Sequence, residues 1–130
     1  MAIDKITFAY ENTFKGVAKA PKGEMLIGDQ EGGLRPYNLL LAALGGCFYH
    51  TFVEIATKKR LTFDSAEMEI TGNRSTEAPY MLHDALIKLT VKNASDQAQF
   101  LKTGQLAEVN CSIHNTLSKV AKISLEMYFK

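Results

Sequence analysis

The chain has 130 residues, of which 46% are apolar and 22% are charged. This composition is typical of a globular protein long enough to bury one core, and it excludes disordered, collagen-like and low-complexity chains. The 15 basic and 14 acidic residues leave a net charge of +1, so no basic surface is available for nucleic acid or anionic lipid. We therefore expect a single domain, residues 1–130, that binds neither nucleic acid nor membranes.

The N-terminal part of the chain is predicted to form three antiparallel strands. Apolar residues alternate over residues 6–10, a second run follows at 14–18, and a turn at Pro21 leads to a third run at 25–27. Short strands joined by turns of this length pair with their neighbours in sequence.

A long helix is predicted next. The polar, glycine-rich loop at 28–33 precedes Pro36, which suits the first position of a helix because its missing N–H is not needed there. The helix is expected to end at about Lys59. Polar residues and glycines interrupt its apolar stretch from Tyr37 to Ala56, so we do not expect it to span a membrane.

The second half of the chain is predicted to contain two strands, two helices and a last strand. Ser95 is the expected cap of the first of these helices, and Cys111 and Ser112 open the second. The predicted ranges are 66–71, 85–92, 96–108, 113–120 and 123–129. The fold class is therefore α+β, with the order β-β-β-α-β-β-α-α-β.

The N-terminus begins MAIDKITFAY, which has neither a secretory nor a transit pattern, so a cytoplasmic location is expected. Cysteines in that reducing compartment indicate redox or metal chemistry more often than a structural disulfide. The chain has two cysteines, Cys47 and Cys111. Two unreactive buried thiols are the alternative interpretation.

Cys47 lies in the predicted long helix, directly after Gly45 and Gly46. Each glycine costs a helix about 1 kcal/mol relative to alanine, so a close contact is expected there, most simply with another helix. Cys47 shares an apolar stripe with Leu44 and Thr51. A cysteine on such a stripe is more often a small core residue than a nucleophile.

Cys111 is predicted to lie at the N-terminus of a short helix. The helix dipole and the unpaired N–H groups of a first turn favour a thiolate, so the pKa of Cys111 is expected to be lowered. The alternative is a residue of the helix cap with no reactivity. Each cysteine is also followed three residues later by a histidine, His50 and His114. A zinc site would require all four side chains to converge, and His114 is as readily an exposed residue.

The order of elements and the sequences around both cysteines resemble the OsmC/Ohr family, named for osmotically inducible protein C and organic hydroperoxide resistance protein. The resemblance covers nearly the whole chain, and its most specific part is LAALGGCF at residues 41–48. Residues 111–117, CSIHNTL, match the context of the family's second cysteine.

The resemblance implies an intertwined homodimer in which two long helices pack together, and a thiol peroxidase that reduces small organic hydroperoxides. Cys47 would attack the peroxide and become a sulfenic acid, and Cys111 would resolve it as a disulfide. This chemistry requires a dithiol reductant and no metal or organic cofactor.

The chain departs from the family's peroxidases at two positions. Residues 1–34 contain no arginine to stabilise a thiolate, and Tyr37 stands where those enzymes have a glutamate. Lys15 or Arg35 could supply a positive charge, although neither is equivalent to that arginine, and His50 with Glu54 could form a substitute pair. The alternative function is therefore a non-enzymatic protein that binds a small apolar ligand or thiol adduct in a cavity near Cys47.

Overall fold

The computed structural model describes all 130 residues and has six strands and three helices in the predicted α+β order. The elements are β1 (Thr7–Tyr10), β2 (Lys15–Ala20), β3 (Gly23–Gly28), α1 (Pro36–Lys58), β4 (Ser65–Arg74), β5 (Leu82–Lys92), α2 (Gln97–Asn110), α3 (Ser112–Ser118) and β6 (Lys122–Phe129).

Contacts divide the chain into two compact units, Met1–Ala42 and Ala43–Lys130. The expectation of one domain over residues 1–130 stays a prediction. In the first unit β1, β2 and β3 form an antiparallel sheet in that order. The last residue of β3, Gly28, has a φ of 99°, and an added Cβ would lie 2.1 Å from the carbonyl oxygen of Phe14, so this position requires glycine.

In the second unit β5 is the central strand, antiparallel to β4 and parallel to β6. Its side chains alternate as a half-buried strand requires, with Ala85, Ile87, Leu89 and Val91 buried. The helices pack over an aromatic core in which the rings of Phe52 and Phe100 lie 5.8 Å apart. Both cysteines belong to this unit.

The helix ends differ from the predicted ones by one or two residues. Asp96, not Ser95, caps α2, because its side chain accepts a hydrogen bond from the N–H of Gln99. The Ser95 hydroxyl instead accepts from the N–H of Thr62. A long-range contact of this kind has no signature in local sequence, and a serine and an aspartate in succession are equally good caps.

Length and composition alone would allow α1 to cross a membrane, a property that it shares with core helices of soluble proteins. Four of its side chains, Leu44, Phe48, Phe52 and Ala56, are buried at four-residue spacing. This is the pattern of a helix packed on one face against a protein core.

The two glycines of α1 have different surroundings. A Cβ on Gly45 would lie 3.1 Å from both Met68 and Ile70, so a strand, β4, makes the close approach at Gly45. Within one chain, the expectation that another helix packs at Gly45 is wrong, because β4 packs against this turn of α1. A Cβ on Gly46 would meet nothing within 4 Å.

Candidate active site

The two cysteines meet although 64 residues separate them in sequence. Cys47 lies on α1, and Cys111 forms the junction between α2 and α3. Their Sγ atoms are 3.0 Å apart, with the Cys111 thiol donating to the Cys47 sulfur, and both are free thiols. A disulfide S–S bond is about 2 Å long, so the sulfurs need to approach by only about 1 Å to become bonded.

The pKa of Cys47 is lowered from its ordinary value. Partial burial opposes this shift and is the largest single influence, but several hydrogen bonds to the sulfur together outweigh it. They come from the Cys111 thiol, from the backbone N–H groups of Ile113 and Ser112, and from the Ser112 hydroxyl, whose oxygen lies 3.8 Å from Cys47 Sγ. The first turn of α3 therefore stabilises the Cys47 thiolate.

Cys111 shows the opposite shift, with its pKa raised to about 11. Its burial is the main cause, followed by the hydrogen bond that its proton makes to Cys47 and by the negative charge of that sulfur. The expectation of a lowered pKa for Cys111 at the start of a helix is therefore wrong. The N–H of His114 does donate to Cys111 Sγ at 3.4 Å, and the backbone of Ile113 also lowers the pKa, but these two influences do not offset complete burial.

The two histidines of the Cys-x-x-His pairs have separate partners. His50 is exposed and its Nε2 lies 3.9 Å from Glu54 on the same helix. His114 is buried, which contradicts the alternative of an exposed residue, and it contacts Glu108 and Ser118. No group of three or more His, Cys, Asp or Glu side chains is positioned to hold a metal ion.

Arg35, one of the two cations considered as a substitute for the missing arginine, is held by another residue. Its Nη1 donates to the carboxylate of Asp29 within the first unit. Lys15 is exposed on β2. The hydrogen bonds that lower the pKa of Cys47 come instead from residues 111–113.

Ser112 is the site residue that sequence reasoning missed. It is the first residue of α3, so both its N–H and its hydroxyl are free of helical hydrogen bonds and available to Cys47. Its position directly after Cys111 was the available signal. Nothing in the local sequence indicated that these groups would serve the other cysteine.

A cavity of about 280 Å³ lies between α1 and the sheet of the second unit. Neither cysteine lines it. Its lining residues are Gly45, Tyr49, Ala66, Glu67, Met68 and Leu89.

The family model described as OsmC-like protein matches residues 28–126 of the chain. Among solved structures, a hypothetical protein from Aquifex aeolicus has 22% identity and a TM-score of 0.86, covering 100% of this chain and 99% of that one. An OsmC-like protein from Mycoplasma pneumoniae has 21% identity and a TM-score of 0.86, covering 98% and 97%.

The organic hydroperoxide resistance protein OhrB of Bacillus subtilis has 16% identity and a TM-score of 0.67, covering 97% of this chain and 98% of that one. At these identities the solved structures establish a shared fold. No curated protein matches the chain significantly.

Proposed function

Because the chain belongs to the OsmC-like family, we propose that it is a two-cysteine peroxidase that reduces small organic hydroperoxides. Family membership and the similarity to a protein named for organic hydroperoxide resistance support a redox-related role. The observation that favours this specific activity is the pair of thiols 3.0 Å apart. The pKa of Cys47 is lowered, as a nucleophile requires, whereas that of Cys111 is raised.

In the first step of the proposed reaction the Cys47 thiolate attacks the terminal oxygen of the hydroperoxide. An S–O bond forms as the O–O bond breaks, giving a sulfenic acid on Cys47, and the departing alkoxide takes up a proton to leave as the alcohol. The lowered pKa of Cys47 makes the thiolate available, and the N–H groups of Ser112 and Ile113 hold it in place.

In the second step Cys111 attacks the Cys47 sulfur. The S–S bond forms and the S–O bond breaks, so that hydroxide leaves with the Cys111 proton as water. The negative charge and hydrogen bonding of Cys47 help to raise the pKa of Cys111, and oxidation of Cys47 removes the charge. The resolving thiol thus becomes easier to ionise after the first step.

A dithiol reductant then returns both cysteines to thiols by disulfide exchange, and no cofactor takes part. We expect this cycle to operate in the cytoplasm, where dithiol systems are kept reduced.

The proposal is tested by mixing the reduced protein with cumene hydroperoxide in a stopped-flow instrument. We expect both thiols to disappear much faster than free cysteine reacts at the same pH, and peptide mass spectrometry to identify a Cys47–Cys111 disulfide. A protein whose thiols react no faster than free cysteine is not a peroxidase.

We also propose that the protein is a homodimer in which the α1 helices of two subunits pack together at Gly46. The open space beside Gly46 and exposed apolar side chains such as Phe8 and Tyr10 support this proposal. Gly46→Leu is expected to raise the dissociation constant by about tenfold or more, since overpacking a close contact costs about 1–3 kcal/mol.

Sedimentation velocity over a range of concentrations measures this effect. Gly46→Ala provides the graded comparison, with a smaller loss of association, and a Cβ added at this position meets nothing within 4 Å in one chain. Unchanged self-association of the leucine variant would place the subunit contact elsewhere.

The second candidate function is a binding protein that has kept the scaffold without peroxidase activity. The absence of arginine from residues 1–34 and the presence of Tyr37 favour it. Native mass spectrometry of purified protein discriminates the two functions. A bound small molecule retained equally by Cys47→Ser supports the binding protein, and an unliganded protein with a fast-reacting Cys47 contradicts it.

A further inference from the structure

His114 is a buried titratable side chain that the proposed reaction does not use. Only 11% of the side chain is exposed. Its Nε2 lies 3.3 Å from a carboxylate oxygen of Glu108 on α2, and its Nδ1 lies 3.2 Å from the hydroxyl of Ser118 on α3. The imidazole thus bridges the last turns of two successive helices.

Both ring nitrogens have a hydrogen-bonding partner. The Ser118 hydroxyl also donates to the carbonyl oxygen of His114 at 2.7 Å. The Glu108 carboxylate can only accept. Together the two contacts fix the position of the ring between α2 and the end of α3.

The segment held by this bridge is the one that faces Cys47. Residues 111–113 lie between Glu108 and His114, and they supply the thiol, hydroxyl and two N–H groups that reach the Cys47 sulfur. In the same turn, Asn115 Nδ2 donates to the carbonyl oxygens of Val109 and Cys111, both at 2.9 Å. The turn is therefore held by His114 and by Asn115.

We propose that His114 is a positioning residue, clamped between Glu108 and Ser118, that holds the 111–113 segment in register with the Cys47 sulfur. The inference rests on the proposed function for its biological meaning, because this is the sulfur that would attack the peroxide. The positioning role itself concerns how readily the Cys47 thiol ionises, and this property can be measured without any hydroperoxide.

The test is the pH dependence of alkylation of reduced protein by iodoacetamide, with peptide mass spectrometry separating Cys47 from Cys111. His114→Leu removes both contacts of the ring. We expect the midpoint of the Cys47 profile to rise by about one pH unit, which slows alkylation at neutral pH about tenfold because only the thiolate reacts. His114→Gln retains one donor and is expected to recover part of the rate.

His50→Gln is the matched control, since His50 also follows a cysteine by three residues and also faces a glutamate, but is exposed. Its profile should coincide with that of the parent. The proposal is overturned if His114→Leu leaves the Cys47 midpoint unchanged, or if His50→Gln moves it equally.

Two further variants decide the matter if His114→Leu does not fold. Glu108→Ala and Ser118→Ala each remove one contact from positions that are more exposed than His114. Each is expected to slow Cys47 alkylation at neutral pH by about two- to fourfold, a fraction of the tenfold that one pKa unit represents, and the absence of any change in both contradicts the proposal.

The same proteins separate this inference from the proposed function. A parent protein that does not react with cumene hydroperoxide, but whose Cys47 midpoint still responds to His114→Leu, refutes the peroxidase and keeps the positioning role. The opposite outcome is a parent that reduces the hydroperoxide while no substitution of His114, Glu108 or Ser118 changes that rate or the Cys47 alkylation profile. That outcome supports the peroxidase and refutes the positioning role.

Discussion

Cys47→Ser is expected to abolish hydroperoxide reduction, with kcat/KM falling by roughly a thousandfold or more, as the loss of a covalent nucleophile typically does. A serine hydroxyl is not ionised near neutral pH, so the donors of the 111–113 segment have no anion to stabilise. Cys111 cannot substitute, because it is fully buried and that burial keeps its pKa above the ordinary value even without Cys47. Steady-state consumption of cumene hydroperoxide with a dithiol reductant measures the loss.

Cys111→Ser is the informative counterpart. A serine hydroxyl at this position can still donate a hydrogen bond to Cys47, so the first oxidation should proceed at nearly the parent rate and then stop. The sulfenic acid on Cys47 should accumulate and be captured by dimedone, a reagent specific for that species. If Cys111→Ser instead loses the first oxidation while Cys47→Ser retains it, the roles of the two thiols are reversed.

The second large effect is expected in the pH dependence of the two thiols. Only thiolates are alkylated, so Cys47, whose pKa is lowered, should react at a lower pH than an ordinary cysteine. Cys111, with a pKa of about 11, should be ionised to roughly one part in ten thousand at neutral pH. As the pH rises through about 11, Cys111 should ionise and become reactive toward the alkylating reagent.

The two profiles are linked, and this provides the control. Cys47→Ser removes the negative charge and the acceptor that contribute to the raised pKa of Cys111, while the burial remains. The Cys111 midpoint should therefore fall without reaching that of an ordinary thiol. Two coincident profiles in the parent protein would contradict the asymmetry on which the proposed division of roles depends.

Much of the fold was predictable because it follows from local pattern. The alternation over Ala85 to Val91 matches the observed central strand, and Pro36 begins α1 as predicted. The cap of α2 is not predictable in this way, because capping residues stand at both 95 and 96 and only the distant Thr62 N–H distinguishes them. The neighbour of Gly45 is not predictable either, because a glycine indicates a close contact without indicating what makes it.

The sequence by itself determined the element order, the family resemblance and the two cysteines as the place where chemistry is expected. Only the tertiary structure decided which thiol the start of α3 serves. Sequence adjacency assigned that turn to Cys111, whereas its N–H groups and the Ser112 hydroxyl reach Cys47 on another helix. The physical reason is that hydrogen bonds and burial act through space, so a thiol's pKa depends on packing that its sequence neighbours do not encode.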